Sequence, residues 1–280
     1  HDALPISKSK QAIDALEGGF VICLPNLPFV MSENEKRFLS QQWSDQKSKN
    51  ISLRPQGGLR GAQGSDADLV ALRAMIQRYA DQSLQLVSAL FPDYVPHLTT
   101  ANTSLRPFEV DGRVSSYRKD DKRLHTDAFP SNPTQGTRLL RVFNNVNPQG
   151  RPRVWRVGEP FEDMANKFLP KAKSMLPGQA WLMHKLGITK RERTPYDQLM
   201  LQLHDLVKAD MDYQRNAPQQ TVHLMPGTTW IVFSDQVLHA VMSGQHMMEQ
   251  TFHLPANALY RPETAPLKVL ERMTGQTLIA

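Results

Sequence analysis

Cysteine is nearly absent from this chain: Cys23 is the only one in 280 residues. That excludes an internal disulfide framework and any cysteine-built zinc or iron–sulfur cage, and it points to a reducing compartment. Set between apolar Ile22 and Leu24, the thiol is expected to be buried. Long hydrophobic runs are missing too. The most apolar stretch, 18–31, is broken by Pro25 and Pro28 and falls short of the roughly 20 residues a membrane-spanning helix needs. The start shows no charged n-region followed by an apolar h-region and a cleavage site, so a cytoplasmic protein is expected. Aromatic residues are few, 4 Trp, 6 Tyr and 11 Phe, and form no ladder along the basic part of the sequence, which argues against stacking on nucleic-acid bases. No repeat, low-complexity tract or long linker divides the chain, which is long enough for one domain with a sizeable core.

What is present is an uneven distribution of charge. Against 27 acids stand 33 Lys and Arg, a net charge of +6. Within 113–156, ten basic residues face only Asp120, Asp121 and Asp127, so this stretch holds the whole positive excess. Such an excess is either a solvated face or the approach to an anionic ligand.

The pattern predicts a mainly β fold with flanking helices, organised as a single domain over 1–280. Residues 1–97 form a helical N-terminal support, 98–260 the strand-rich core with a helical insert at about 194–216, and 261–280 a C-terminal helix. Ser32 and Glu35 make a capping box that starts a helix toward Trp43. Leu69, Leu72, Met75, Ile76, Tyr79, Leu86 and Leu90 recur near helical spacing, which predicts one long helix over 66–91; the Gly- and Gln-rich 56–64 before it reads as a loop. Strands are expected at 105–110, 114–118, 139–144, 153–157, 180–183, 221–224, 229–233, 238–242 and 248–254, with helices at 161–169, about 196–213 and 265–273.

Within the strand-rich part lies His125-Thr126-Asp127. A His-x-Asp at a strand end puts an imidazole and a carboxylate on one side of the chain, two of the three ligands of a facial triad that leaves open positions on Fe(II). About one His-x-acid is expected by chance in a chain of this composition, so context has to support it. The turn 234–236 followed by the strand at Leu238 places His239 near a strand start, at the mouth of a barrel, as the distal third ligand. His246 and His253 follow closely enough to be rivals, whereas His184, His204 and His223 read as packing residues. A 2-oxo acid bound to such a metal needs a cation for its distal carboxylate, best met by Arg. The stretch 240–260 has no Lys or Arg, which leaves Arg138 and Arg141 on the strand after the motif. Their odd spacing turns them to opposite faces; Arg141 is preferred as the deeper of the two, with Arg138 as the fallback. Arg151, Arg153 and Arg156, in a run of arginines with no acid between them, are candidates for an anionic sugar or phosphate, and Trp155 for stacking on a sugar face or for packing.

The block HTDAFPSNPTQGTRLLRVFNNVNPQGRPRVWRVGEPFEDMANKFLP, above all RVFNNVNP and RPRVWRVGEPFED, resembles the bacterial Kdo hydroxylases, Fe(II)/2-oxoglutarate-dependent dioxygenases. The resemblance implies a double-stranded β-helix (jelly-roll) core. It implies Fe(II), 2-oxoglutarate and O2 as cofactor and cosubstrates, with ascorbate as a supporting reductant. The implied reaction is hydroxylation at carbon 3 of 3-deoxy-D-manno-oct-2-ulosonic acid (Kdo) in a Kdo-containing lipid A precursor of lipopolysaccharide. His125 and Asp127 match the family's metal motif, and His239 matches the distal ligand by strand order. Transient contact with the inner-membrane surface, as a peripheral cytoplasmic protein, follows from such an acceptor, and no nucleic-acid partner is expected. Two rival readings remain at this level: a 2-oxoglutarate oxygenase of another anionic substrate such as nucleic acid, and a non-catalytic jelly-roll that binds glycan or lipid.

Overall fold

The computed structural model describes residues 6–110, 115–173 and 175–279. Helix α1 (Ile6–Glu17) leads into the edge strand β1 (Ile22–Leu24), the single helical turn α2 (Glu33–Lys36), the hairpin β2 (Ile51–Leu53) and β3 (Leu59–Arg60), and the long helix α3 (Asp66–Leu90). Strands β4 (Thr99–Arg106), β5 (Arg138–Asn145) and β6 (Arg153–Gly158) come next, then helices α4 (Phe161–Phe168), α5 (Gln179–Lys185), α6 (Pro195–Ala209) and α7 (Met211–Asn216). Strands β7 (Gln219–Leu224), β8 (Thr229–Phe233), β9 (His239–Ser243) and β10 (Met247–Leu254) and helix α8 (Pro266–Thr274) close the chain.

The strands form two antiparallel sheets, a seven-stranded one in the order β1-β8-β5-β10-β4-β2-β3 and a three-stranded one in the order β7-β6-β9. Side-chain alternation explains why the central strands read as almost continuous apolar runs. Every residue of β8 is buried: Trp230 and Val232 point between the sheets with Phe143, Trp155 and Val241, while Ile231 and Phe233 point outward with Leu140, Val142 and Phe252 under the helices. A sheet covered on both faces needs apolar residues at both parities. Two facing sheets with helices packed outside are the expected jelly-roll.

The parity argument about the two arginines of β5 holds in detail. Arg138 shares the helix-facing side with Leu140 and Val142; its Nε meets Asp235 Oδ2 at 2.6 Å, its Nη2 meets Gln236 Oε1 at 2.7 Å, and its guanidinium covers the Phe233 ring. It is fully buried there, on the far side of the sheet from His125 and Asp127, and so stands apart from them. Asp235→Ala would strand this cation without a carboxylate, and a loss of about 3–5 kcal/mol is expected. The fall should be read as a lower urea midpoint with an unchanged slope.

Several local expectations differ from the structure. The capping box forms with both of its hydrogen bonds, but α2 lasts one turn before Ser40 caps a second short turn, so no helix runs through to Trp43. Residues 56–64 are not simply loop, because β3 within them pairs with β2, which in turn pairs with β4. Strand β4 starts six residues before the expected 105 because its first half is polar and carries no β-type apolar signal. The strand expected at 114–118 starts outside the described residues, and Tyr117–Lys119 is a 3-10 turn. Residues 180–183 are helix α5, a short apolar run that finds no sheet edge. The helix expected over 196–213 breaks at Asp210, whose side chain caps α7 by accepting from Tyr213 N at 2.9 Å. Cys23 is exposed, since β1 is an edge strand and turns alternate side chains outward. His184 and His223 are also exposed rather than packed.

Candidate metal centre

Three ligand-type side chains meet where the three-stranded sheet begins. His239 opens β9, and the backbone of His125 pairs with it on both sides, His125 N to His239 O at 3.0 Å and His239 N to His125 O at 2.9 Å. This antiparallel bridge sets the two imidazoles side by side, with ring centroids 4.7 Å apart. Two residues on, Asp127 N donates to Ser234 O at 2.8 Å and brings the carboxylate round to the same side, Oδ1 lying 3.8 Å from His125 Nε2. One ligand atom from each of His125, Asp127 and His239 lies within 4.8 Å of the others.

The imidazoles are oriented for coordination. His125 Nδ1 lies 2.7 Å from Arg123 O, and His239 Nδ1 lies 2.9 Å from Val237 O. A carbonyl oxygen only accepts, so each Nδ1 carries the proton and each Nε2 keeps its lone pair for a metal. Burial, and for His125 the neighbouring His239, hold both rings below their ordinary value and therefore neutral at pH 7. Trp155 stacks on His239 at 5.0 Å and 20°, and His204 meets the edge of His125 at 5.5 Å, so each ring is packed against an aromatic neighbour. Burial works against the Asp127 charge, but the Arg141 guanidinium holds its carboxyl well below the usual carboxylate range. Two neutral nitrogens and one ionised oxygen on one side of a buried site are the donor set of a divalent transition metal such as Fe(II).

Behind the triad runs a chain of charges between the sheets. Arg141 Nη2 lies 3.1 Å from Asp127 Oδ2, its Nη1 lies 2.9 Å from Glu249 Oε1, and the other Glu249 oxygen pairs with Arg106. Arg153, on the same inner parity of β6 as Trp155, is 1% exposed and stands differently. Among the described residues its only side-chain hydrogen bond is from Nη1 to Gly244 O at 3.3 Å, its Nε has no partner, and it forms no ion pair. Burial and the nearby Arg106 push its guanidinium below the ordinary value. The guanidinium groups of Arg106, Arg141 and Arg153 and the carboxylates of Asp127 and Glu249 therefore share the space between the sheets, and Arg153 is the guanidinium among them without an ion pair.

The remaining candidates are spread out. Arg156, half-buried, turns to the outer face, where its Nη2 donates to Lys122 O at 2.8 Å and its Nη1 to Gln214 O at 3.4 Å. Arg151 is exposed in the turn before β6. Trp155 is enclosed by His239, Phe143 and Trp230 and presents no face to a sugar. His246 and His253 lie outside the triad. Three of the ten basic residues in 113–156 are matched by acids from elsewhere in the chain, Arg118 by Asp205, Arg138 by Asp235 and Arg141 by Glu249.

A different basic feature lies beside the mouth. A cavity of about 610 Å³ is walled by Lys47, Lys49, Arg54, Arg60 and Lys190, with no Asp or Glu in its lining. Lys49 Nζ is 3.8 Å from Asp121, whose carbonyl accepts from Val241 N, and Lys190 N donates to Ser131 O, so both of its flanks connect to the segment that carries His125 and Asp127. The sequence reading missed this basin, although Lys47, Lys49, Arg54 and Arg60 with a single nearby acid, Asp45, were its visible trace. Glu249 was missed as well; an acid inside the apolar β10 was the clue.

Over residues 2–277 the sequence matches the family model described as 3-deoxy-D-manno-oct-2-ulosonic acid (Kdo) hydroxylase. Among solved structures, the apo form of the Kdo hydroxylase KdoO, a non-heme Fe(II) alphaketoglutarate dependent dioxygenase, is 47% identical with a TM-score of 0.96, covering 99% of this chain and 94% of that one. The complex of KdoO with alphaketoglutarate and Fe(III) is 46% identical with a TM-score of 0.96 at the same coverage. Its cobalt(II) complex is 47% identical with a TM-score of 0.97, covering 100% of this chain and 94% of that one. No curated protein sequence matches the chain.

Proposed function

The chain belongs to the Kdo hydroxylase family, and from that premise we propose that it hydroxylates carbon 3 of Kdo carried on a lipid A precursor, using Fe(II), 2-oxoglutarate and O2. The observation that carries this reading is the triad itself, two imidazoles with Nε2 free and one ionised carboxylate gathered at the mouth of the jelly-roll. His125, Asp127 and His239 would hold the iron. When bound, iron and 2-oxoglutarate together supply oxidising power from O2, one oxygen atom leaving in succinate as CO2 is lost and the other going to the acceptor's C–H bond.

The chain's own part is binding, orientation and exclusion of water. The Arg123 and Val237 carbonyls fix the imidazole tautomers, and Arg141 fixes the Asp127 carboxylate between itself and the metal side. Arg153 receives the distal carboxylate of 2-oxoglutarate on this reading, because it is the guanidinium between the sheets that forms no ion pair among the described residues. Arg141, the residue favoured by position in the strand, already bridges two carboxylates and serves better as a positioning residue for Asp127. Arg138 is committed to Asp235 on the far face of the sheet.

The basin of Lys47, Lys49, Arg54, Arg60 and Lys190 would take the carboxylate or phosphate groups of the acceptor. Charge reversal at Arg54 and Arg60 together should raise the acceptor KM at least about 10-fold while leaving acceptor-independent 2-oxoglutarate decay unchanged. An unchanged acceptor KM would remove the basin from substrate binding. The position of attack is tested by NMR of the product: a new hydroxyl at carbon 3 of Kdo is expected, and oxygen at any other carbon or on the lipid would refute the assignment. A lipid-linked acceptor places the enzyme at the cytoplasmic face of the inner membrane, as a peripheral protein. Among the described residues no helix is long and apolar enough to cross a bilayer.

A further inference from the structure

Large apolar side chains that face solvent are not scattered evenly over the molecule. Five of them fall between 176 and 188: Leu176 at 73% exposure, Trp181 at 54%, Leu182 at 50%, Leu186 at 66% and Ile188 at 53%. Helix α5, which carries Trp181 and Leu182, has no buried residue at all. Its sequence is therefore apolar without a core to pack against. Contiguous apolar exposure of this kind marks a surface that meets something else.

The charges around it narrow what that is. From Lys171 to Arg191 the chain carries Lys171, Lys173, Lys185, Lys190 and Arg191 and not one Asp or Glu. Of these, Lys171 reaches an acid from another element, Asp210 at 3.6 Å. Tryptophan and leucine side chains among lysines, with no acid between Lys171 and Arg191, match the interfacial zone of an anionic bilayer, where the rings sit at headgroup depth and the ammonium groups meet phosphates. A folded protein partner would more commonly be met by mixed charge at the rim.

The segment is also held close to the mouth. Lys190 N donates to Ser131 O at 2.9 Å, Arg193 Nη2 to Pro130 O at 2.7 Å and Gln135 Nε2 to Glu192 O at 2.9 Å, all on the loop that follows Asp127. Lys190 belongs at once to this patch and to the wall of the basic basin. A lipid surface seated on α5 would thus lie next to the basin and the triad.

We propose that residues 176–190 form an interfacial foot that seats the enzyme on an anionic lipid bilayer, with Trp181, Leu182, Leu186 and Ile188 entering the headgroup–acyl boundary. The foot deepens the reading of a lipid-carried acceptor and rests on it for the purpose of the contact. Its test is read without turnover, so failure of the foot and failure of the assigned reaction are separable.

The full chain is mixed with vesicles of phosphatidylethanolamine and phosphatidylglycerol, and separately with phosphatidylcholine alone; binding is read by co-sedimentation and by tryptophan emission. Binding to the anionic vesicles is expected, with a blue shift that disappears in Trp181→Ala and with loss of binding at high salt. Leu182→Asp combined with Leu186→Asp should lower the partition at least tenfold, keep the wild-type melting temperature because both positions are exposed, and keep turnover of a detached, water-soluble Kdo acceptor. Wild-type protein that stays off anionic vesicles, or a double variant that binds them as the wild type does, overturns the proposal. So does concentration-dependent self-association that the double variant abolishes while vesicle binding is absent, which would assign the patch to a second copy of the chain.

Discussion

His239→Ala should lose tight metal binding and, with it, hydroxylation. Removing groups that merely orient a metal ligand already costs about 10–100-fold in affinity, so removing a ligand should cost more than about 100-fold. Anaerobic titration with Co(II), followed by its visible absorption, reads this without turnover. His125→Ala and Asp127→Ala should behave alike, because the three ligand atoms lie within one 4.8 Å group. His253→Ala, outside that group, should titrate as the wild type does. Metal should also raise the melting temperature of the wild type, since a ligand present at 100 times its Kd stabilises by about 2.7 kcal/mol, and this gain should vanish in His239→Ala. A full Co(II) spectrum and a full thermal shift in His239→Ala would move the distal ligand elsewhere, with His253 and His246 as the next positions to examine.

Arg153→Leu should raise the concentration of 2-oxoglutarate needed for half-maximal activity by about 100-fold, the equivalent of losing roughly 2.7 kcal/mol of charge-assisted hydrogen bonding. A second effect separates binding from structure. The Arg153 guanidinium is buried with one long hydrogen bond and no ion pair among the described residues, so its desolvation is uncompensated in the free protein. Arg153→Leu should therefore melt no lower than the wild type when 2-oxoglutarate is absent, and should lose the further stabilisation that the wild type gains when it is added. Arg141→Leu should do the opposite: it strips Asp127 and Glu249 of their shared cation, so metal affinity and stability fall together. A large 2-oxoglutarate effect in Arg141→Leu with none in Arg153→Leu would return the anchor to Arg141.

These two arginines show where sequence reasoning stops. Parity along a strand is legible, and it correctly separates Arg138 from Arg141 and groups Arg153 with Trp155. Which acid faces Arg138 and which faces Arg141 is not legible, because Asp235 and Glu249 arrive from strands and turns more than ninety positions away. Strands β5, β8, β9 and β10 were readable within one or two residues because burial on both sheet faces writes an apolar run into the sequence, and β6 because Val154, Trp155 and Val157 are β-type residues between turns. Strands β2, β3 and the first half of β4 were not, since they are short or polar at a sheet edge and owe their form to pairing across the chain. The distal histidine was legible from strand order and the shape of the site from neither strand: the His125–His239 bridge that sets the ligand spacing exists only after folding.

Helix α5 illustrates the converse. Its Ala-Trp-Leu-Met run looked like a strand because apolar residues were assumed to need a core, whereas in the fold they have none. The same holds for net charge. Three arginines of the 113–156 excess pair with acids from elsewhere in the chain, and a second group of cations, Lys47, Lys49, Arg54, Arg60 and Lys190, forms the basin.

The central claim is that the triad uses O2 and 2-oxoglutarate to place one oxygen atom on Kdo. It is tested most directly by incubating the Fe(II)-loaded protein with 2-oxoglutarate, 18O2 and lipid-A-linked Kdo, and weighing the acceptor by mass spectrometry. A gain of one 18O atom on the Kdo fragment, matched one to one by succinate and absent in His239→Ala, is the predicted result. Succinate without any oxygen on the acceptor, or oxygen gained equally by the His239→Ala protein, would contradict it.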